Sequence, residues 1–424
     1  MSSTRRNNAQ HKSNVGALLM LWIIYPMLPL ITSIRQFSNK KYRIFIILFG
    51  ALYGFTFIPI KNSDGQDYKD TYLSMKEYTY SKYINDITHI ADKESDFPDI
   101  YAFTLFFVSK KISDDPKVFF LLTGLLYFWV FVALMGTIWE LAPSGWGRHY
   151  LWFFLGCVFV LNFSAGINGV RFGMAFMVYC YGALNLILKK RIKFLFIAAL
   201  SILVHFSLLY LVLFLLAFYL AGFPDRRVFL YSFLAIAVVS SVFSSFITEN
   251  VSFFGSAIEN KYNEYTDAAF MENRELHTDN WRWYVNFDKY STFYFVNIAM
   301  LLIRFFSFKI KHDLLANRLF SFALILFGAS IISGGLVDSI SNRFILVSNL
   351  FSLIYLLYIS YLNPGNLTLS RTSRVYRLVF ILHALVVLRG DLYTVSPWLI
   401  FGNPIVAMVL ESDISIQDII MDQF

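Results

Sequence analysis

Apolar runs long enough to cross a bilayer recur along most of this sequence. A helix needs about 20 consecutive, predominantly apolar residues to span the hydrocarbon core of a membrane. Hydrophobic residues make up 57% and charged residues 15% of the 424 positions, whereas soluble domains carry about 25% charged residues. A soluble fold could not bury so much apolar surface. The sequence therefore predicts an all-α polytopic membrane protein, organised as a single membrane domain over residues 1–424.

The apolar runs predict about 11 to 12 transmembrane helices. The predicted spans are residues 16–33, 44–60, 117–139, 149–165, 172–188, 194–221, 228–247, 291–310, 319–334, 344–362 and 376–393. A shorter apolar stretch, Tyr101–Val108, is too short to cross and is predicted to be re-entrant or to lie at the membrane interface.

Two long polar insertions, residues 61–116 and 248–290, interrupt the series of spans. Within the first, Lys61–Ile100 carries nine acidic and five basic residues, and the second carries eight acidic and four basic residues. Short connectors such as Lys189–Lys193 are instead rich in lysine and arginine. Because short basic connectors remain in the cytoplasm, both acidic insertions are predicted to be extracytoplasmic loops.

The run 194–221 separates two basic connectors that are both predicted to be cytoplasmic. A straight helix of that length would be about 42 Å long and would end on the opposite side of the membrane. We therefore predict a break near His205 that makes a helical hairpin, with His205 at its extracytoplasmic tip. The segments 164–171 and 334–343 then also reach the outer face.

Four groups of polar residues on this predicted outer face are candidates for function, because charged groups near a bilayer are costly and usually line a cavity. In the first group, the carboxylates of Asp64 and Asp67 could act as a general base or hold a polar substrate. Tyr68 and Tyr72 could stack on a substrate. The alternative for this group is a solvated loop entry.

The second group is Asn168 with Arg171, whose planar guanidinium fits phosphate oxygens. At the predicted helix start, this charge would add to unpaired backbone N–H groups. The alternative is an arginine whose charged end extends to the interface. The third group, His205 and Ser207 at the predicted break, is either functional or a satisfied structural hydrogen-bonding pair.

The fourth group, Asp338 to Arg343, is predicted to form a turn after which Arg343 begins a helix. Two outer-face arginines at helix starts favour a ligand with more than one negative charge, such as a diphosphate. The sequence has no P-loop, no dinucleotide fingerprint, no HExxH motif and no nucleophile elbow. We therefore expect no cofactor and no metal, and since basic residues are concentrated in connectors, we expect no nucleic acid partner.

The order of these elements resembles the EpsG-like branch of the Wzy polymerases. The resemblance extends over about residues 16–393, with one departure, Phe172, where many relatives have glutamine. The matching residues are Asp67, Tyr68 and Tyr72; Asn168, Arg171 and Ala175; the connector Lys189–Lys193 before His205 and Ser207; and the late Arg343.

The resemblance implies a membrane glycosyltransferase of the bacterial inner membrane. Such enzymes join undecaprenyl-diphosphate-linked oligosaccharide repeat units on the extracytoplasmic face into O-antigen, capsule or exopolysaccharide. Their expected partners are this lipid-linked oligosaccharide, membrane lipid, a chain-length regulator and a flippase.

The resemblance also gives roles to the candidate residues. Arg171 and Arg343 would stabilise the leaving diphosphate, and Asp67 or His205 would take the proton of the acceptor hydroxyl. The predicted substrate-binding residues are Asp64, Tyr68, Tyr72, Asn168, Ser207, Asp338 and Trp281. No metal is required, because the arginines can replace one.

Three other functions remain open from the sequence. An O-antigen ligase would also show outer-face arginines, with a histidine such as His277 in its large loop. A transporter of polysaccharide or of lipid-linked oligosaccharide would show charges near the midplane and inverted repeats. A membrane O-acyltransferase would use His205 as its catalyst.

Overall fold

The computed structural model describes residues 15–61, 63–75, 77–88, 100–142, 148–160, 162–223, 231, 233, 283–307, 309–334, 338–410 and 414–421. These residues are mostly helical, and their one β-type contact is an isolated bridge between Phe57 and Val395. In chain order, the described helices are α1 (Val15–Ile24), α2 (Met27–Arg35), α3 (Arg43–Phe55), α4 (Asp64–Ser74), α5 (Tyr80–Thr88), α6 (Ile100–Ile112), α7 (Pro116–Glu140), α8 (Arg148–Phe159), α9 (Phe163–Asn168), α10 (Val170–Lys189), α11 (Lys193–Val204), a 3-10 helix (Phe206–Leu208), α12 (Leu209–Leu220), α13 (Trp283–Phe306), α14 (Leu314–Gly334), α15 (Asp338–Leu362), α16 (Leu367–Thr394), α17 (Trp398–Phe401), α18 (Pro404–Val409) and α19 (Ile416–Met421).

Five helical segments among the described residues are long and apolar enough to cross a membrane. They are Pro116–Glu140, Val170–Lys189, Leu314–Ser333 and Ser341–Leu362, together with Leu151–Asn168, which comprises most of α8 and all of α9. Each coincides with a predicted span, which confirms an all-α polytopic membrane protein. The total of 11 to 12 crossings and the side of each connector stay predictions.

Three predicted spans differ from the observed helices, and a fourth, 228–247, lies outside the described residues except for positions 231 and 233. The run 149–165 contains the end of α8 at Phe159 and the beginning of α9 at Phe163. The run 16–33 is divided into α1 and α2 at Pro26, because proline lacks the N–H for a helical hydrogen bond and crowds the preceding turn. The run 44–60 is helical only to Phe55. Its end is extended instead, and Ile58 N donates to Thr394 O at 2.7 Å. This extended stretch joins α3 to the end of α16 and leads into α4.

The predicted break near His205 is confirmed. α11 ends at Val204, His205 has extended backbone angles (φ −155°, ψ 111°), and the 3-10 helix follows directly. α11 lies antiparallel against α10, since a Cβ at Gly182 would lie 2.5 Å from Ala198 N and the His205 ring, at the end of α11, lies 6.0 Å from Phe172 at the start of α10.

The chain then reverses direction after His205. α12 first contacts the beginning of α15, with the rings of Phe214 and Phe344 5.3 Å apart. Beyond the end of α12, Phe223 lies beneath Arg318, near the beginning of α14. Because α14 and α15 are antiparallel neighbours, these two contacts are at opposite ends of the pair. The run 194–221 is therefore a hairpin with His205 at its turn.

The predicted first loop, residues 61–116, contains the three helices α4, α5 and α6. The predicted re-entrant stretch Tyr101–Val108 lies within α6, which packs on α7 through stacked rings of Phe106 and Phe119 (4.9 Å). The predicted second loop, residues 248–290, lies outside the described residues up to position 282. Its last residues belong to α13.

Small residues allow α3 and α7 to approach closely. A Cβ at Gly54 would lie 2.0 Å from Phe120 O, and one at Gly124 would lie 2.2 Å from Gly50 O. Close backbone approach through small residues is typical of helix pairs in membranes. This packing fixes the end of α3, from which the chain continues to α4.

Candidate functional site

α4 is attached to the end of α9 by Asn168. The side-chain oxygen of Asn168 accepts hydrogen bonds from Ser63 Oγ at 2.9 Å and from the backbone N–H of Gly65 at 3.2 Å. Ser63 is the residue before α4, so Asn168 satisfies a first-turn N–H that has no partner within the helix. The contact identifies Asn168 as a residue that positions α4 over the beginning of α10.

Arg171 is the second residue of α10 and connects that helix to α4 a second time. Its Nε donates a hydrogen bond to the hydroxyl oxygen of Tyr68 at 2.5 Å. Tyr68 is 2% exposed, so its hydroxyl is held in place by the packing of its ring. This contact orients the Arg171 guanidinium.

Asp64, the first residue of α4, interacts electrostatically with Arg171. The residue is exposed, but neighbouring protein removes water from its carboxyl group. This desolvation raises the pKa of Asp64; Arg171 opposes the shift and Asp67 adds to it. Asp67 is also exposed, one helical turn further along α4. The structure thus gives Asp64 a charged neighbour and a raised pKa.

Arg171, His205 and Arg343 come together from three separate parts of the chain. The positive charges of Arg343 and Arg171 both act on the His205 ring. The ring of Phe172 contacts both His205 and Arg343: it is perpendicular to the His205 ring at 6.0 Å and lies 5.5 Å from the Arg343 guanidinium carbon. The predicted second, third and fourth groups therefore meet at one place, with Asp64 and Tyr68 of the first group beside Arg171.

His205 also organises its own turn. Its Nδ1 accepts the backbone N–H of Ser207 at 3.3 Å and lies 3.1 Å from Ser207 Oγ. The histidine thereby caps the 3-10 helix, and Ser207 contacts the ring rather than standing apart from it.

The expectation that Tyr68 and Tyr72 stack on sugar rings is wrong for this structure. Both side chains are buried, 2% and 0% exposed, against Phe106 and Phe119. The hydroxyl of Tyr72 donates to Ser113 O at 2.6 Å. The period of α4 directs these rings to the protein interior, so they pack the helix rather than face a ligand.

Arg343 does not begin a helix as the sequence predicted. α15 starts at Asp338, so Arg343 is its sixth residue and lies past the first turn. The argument from unpaired N–H groups at a helix start therefore applies to Arg171 and not to Arg343. Asp338 is the first residue of α15, and Trp281 lies outside the described residues.

Asp391 is a further polar residue that the sequence analysis did not single out. Its Oδ1 accepts the Ser164 N–H at 3.2 Å and the Tyr53 hydroxyl at 3.4 Å, which ties α16 to α9 and α3. Asn162 accepts the same Ser164 N–H at 2.9 Å. The sequence does point to Asp391, because it is the one acidic residue within the predicted span 376–393 and charged residues inside a membrane span usually have a role. Asp391 positions α9, and α9 carries Asn168.

The arrangement has the chemistry of an anion site with an adjacent proton acceptor. Two guanidinium groups on different helices can contact phosphate oxygens, and the exposed Asp64 carboxylate can take a proton. Among the described residues, no group of three or more His, Cys, Asp or Glu side chains could hold a metal ion.

No curated protein and no solved structure matches this chain. The family model described as the EpsG family matches residues 39–397. That range is most of the chain, and it includes Asp64, Arg171, His205, Arg343 and Asp391. This protein therefore belongs to the EpsG family.

Proposed function

We propose that this protein is a glycosyltransferase that polymerises undecaprenyl-diphosphate-linked oligosaccharide repeat units on the extracytoplasmic face of the bacterial inner membrane. Membership of the EpsG family indicates a polymerase-type membrane protein of polysaccharide biosynthesis. The observation that supports the specific reaction proposed is that the positive charges of Arg171 and Arg343 both lie near the His205 ring. The products would be O-antigen, capsule or exopolysaccharide, and a chain-length regulator and a flippase would act with the enzyme.

In the proposed reaction, a hydroxyl oxygen of the acceptor sugar attacks the anomeric carbon of the donor glycan. The bond from that carbon to the diphosphate oxygen breaks, and its electron pair remains on the diphosphate. Fixed positive donors placed where this negative charge develops lower the barrier. Arg171 and Arg343 would supply them, and the planar guanidinium allows two-pronged contacts to phosphate oxygens.

The proton of the attacking hydroxyl needs an acceptor, and we assign that role to Asp64. The sequence left Asp67 and His205 as candidates. Asp64 is the carboxylate next to the oriented Arg171, and its raised pKa makes it a stronger base than an ordinary aspartate. Asp67, one turn away, then serves as a neighbouring charge that helps to raise the pKa of Asp64.

Deletion of the gene in its host, followed by sizing of the surface polysaccharide, tests this function. A polymerase mutant should display single repeat units, and a ligase mutant should display no repeat units on its lipid core. A transporter mutant should retain repeat units on the inside of the membrane. Complementation with Arg171→Ala should restore no long chains, whereas Arg371→Ala, at an exposed position of α16, should restore them. Long chains in the deletion strain would refute the proposal.

A further inference from the structure

The protonation of the His205 ring can be read from its contact with Ser207. A backbone N–H can donate a hydrogen bond but cannot accept one. Because the Ser207 N–H points at His205 Nδ1 at 3.3 Å, Nδ1 presents a lone pair and carries no hydrogen. The Ser207 hydroxyl at 3.1 Å can then donate to the same nitrogen.

A neutral imidazole has one N–H group, so the hydrogen of His205 lies on Nε2. A doubly protonated ring would place an N–H at Nδ1 against the Ser207 N–H and would add a third positive charge beside Arg171 and Arg343. Both features favour a neutral ring. In that state Nε2 can donate a hydrogen bond but cannot take a proton.

Among the described residues, none forms a hydrogen bond with His205 Nε2, and the His205 side chain is only half-buried, so this N–H donor is available to a ligand. The ring itself is held in place by its cap and by the perpendicular Phe172, on which Arg343 also packs. A fixed N–H donor thus lies in the same small region as two guanidinium groups.

We propose that His205 is a neutral hydrogen-bond donor, through Nε2, to a phosphate oxygen held by Arg171 and Arg343, and that it is not a proton acceptor. Phosphate oxygens accept hydrogen bonds, so a third donor fits them, while a neutral donor avoids repulsion with the two arginines. Ser207 is the positioning residue that fixes the tautomer. The identity of the ligand as a lipid-linked diphosphate rests on the proposed function.

Two substitutions divide the functions of the two ring nitrogens. Asparagine at 205 places its oxygen near the position of Nδ1, so it keeps the cap but has no distal donor. Glutamine places its amide nitrogen near the position of Nε2, so it keeps the donor. Neither side chain can act as a base.

We expect purified His205→Gln to polymerise lipid-linked repeat units at a rate within about tenfold of wild type. Loss of one donor to a developing oxyanion costs about 10²–10³ in rate, and we expect such a loss in His205→Asn. If His205→Asn is active and His205→Gln is not, the ring is a structural cap and the proposal fails. Equal loss in both variants would indicate a base and would also overturn it.

The tautomer can be measured without any activity assay. The protein has 7 histidines, and ¹⁵N NMR of ring-labelled protein identifies the His205 signals by their loss in His205→Asn. We expect a protonated Nε2 and an unprotonated Nδ1, with a shift of the Nε2 signal on addition of inorganic pyrophosphate. A protonated Nδ1, or no response to pyrophosphate, would refute the donor role. If the expected signals appear in a protein that makes no polymer, the donor role stands and the proposed function fails.

Discussion

The side-chain oxygen of Asn168 lies 3.2 Å from the backbone nitrogen of Gly65 and 2.4 Å from the position that a Cβ at residue 65 would occupy. A side chain at residue 65 would therefore displace either Asn168 or the beginning of α4. Since Asp64 and Tyr68 are both on α4, this contact determines how they meet Arg171.

The first prediction is that Gly65→Ala lowers the rate of polymerisation by about tenfold or more. The substitution breaks roughly one to two hydrogen bonds of Asn168, each worth about 1 kcal/mol. The methyl group separates α4 from Asn168 and moves Asp64 away from Arg171. The measurement is the initial rate with lipid-linked repeat units. Gly390→Ala is the matched control, because its Cβ would meet nothing closer than Asn162 Nδ2 at 3.7 Å. Equal rates in the two variants would contradict the positioning role of this contact.

The second prediction concerns the pair Arg171 and Tyr68. Arg171→Lys keeps a positive charge but loses the planar fork and the Nε contact to Tyr68, so we expect a loss of about 10²–10³ in rate. Tyr68→Phe removes the hydroxyl while keeping the ring among Phe106 and Phe119, and we expect a smaller loss.

The double variant tests whether these two residues act together. If the hydroxyl of Tyr68 acts by orienting Arg171, Tyr68→Phe should have little further effect in an Arg171→Lys background. The effects of substituting two residues in contact are not additive. Additive losses would separate Tyr68 from Arg171 and would leave Tyr68 a packing residue.

The third prediction is a pH dependence that belongs to Asp64. Since the pKa of Asp64 is raised by desolvation, a base at this position should lose its activity as the pH falls, beginning above the range of an ordinary aspartate. Asp64→Asn should abolish polymerisation at every pH. Asp67→Asn should retain activity, with a profile moved to lower pH because one repulsive charge is gone.

The effect of Asp64 on stability has the opposite sign to that of a salt-bridged carboxylate. Because the pKa of Asp64 is higher in the folded than in the unfolded protein, folding favours the protonated carboxyl group. Stability is therefore lost as the pH rises from the pKa of the unfolded state to that of the folded state. Asp64→Asn, a neutral mimic, should therefore melt no lower than wild type at pH 7. A lower melting temperature would show that the charge of Asp64 stabilises the fold.

The fourth prediction concerns Asp391, which joins α16 to α9 and α3. Asp391→Leu leaves the Ser164 N–H with one acceptor, Asn162, and leaves the Tyr53 hydroxyl without this partner. An unmade buried hydrogen bond costs about 1–3 kcal/mol, so we expect a lower melting temperature. Asp391→Asn keeps an acceptor oxygen and should melt near wild type. Equal melting of both variants would show that the acceptor is not needed.

The hairpin at His205 could be predicted from the charges of the connectors. A single crossing cannot join two connectors on the same side of the membrane, so the apolar run between them must turn back. The sequence could predict only that Arg171 and Arg343 are on the same face of the membrane, and not that they lie near each other. The contact of Arg343 with Phe172, the residue next to Arg171, depends on how α10 and α15 pack, which no local pattern specifies. The inward direction of Tyr68 and Tyr72 does not follow from the sequence, because their spacing of four positions places both on one face of a helix without specifying which face is buried.

The fifth prediction tests the side of the membrane on which the site lies. Phe206, beside His205 at the turn of the hairpin, is 56% exposed, and Lys190 ends α10 in an exposed connector. If basic connectors are cytoplasmic, a cysteine at position 206 should react with a membrane-impermeant thiol reagent added to intact cells, and one at 190 should react only after lysis. The single cysteines are introduced in a protein that carries Cys157→Ala and Cys180→Ala. The wild-type protein is the control, and it should be labelled little because both of its thiols are fully buried. Labelling at 190 from outside would invert the topology and place Arg171, His205 and Arg343 on the cytoplasmic face. Lipid-linked repeat units on the extracytoplasmic face could not reach such a site.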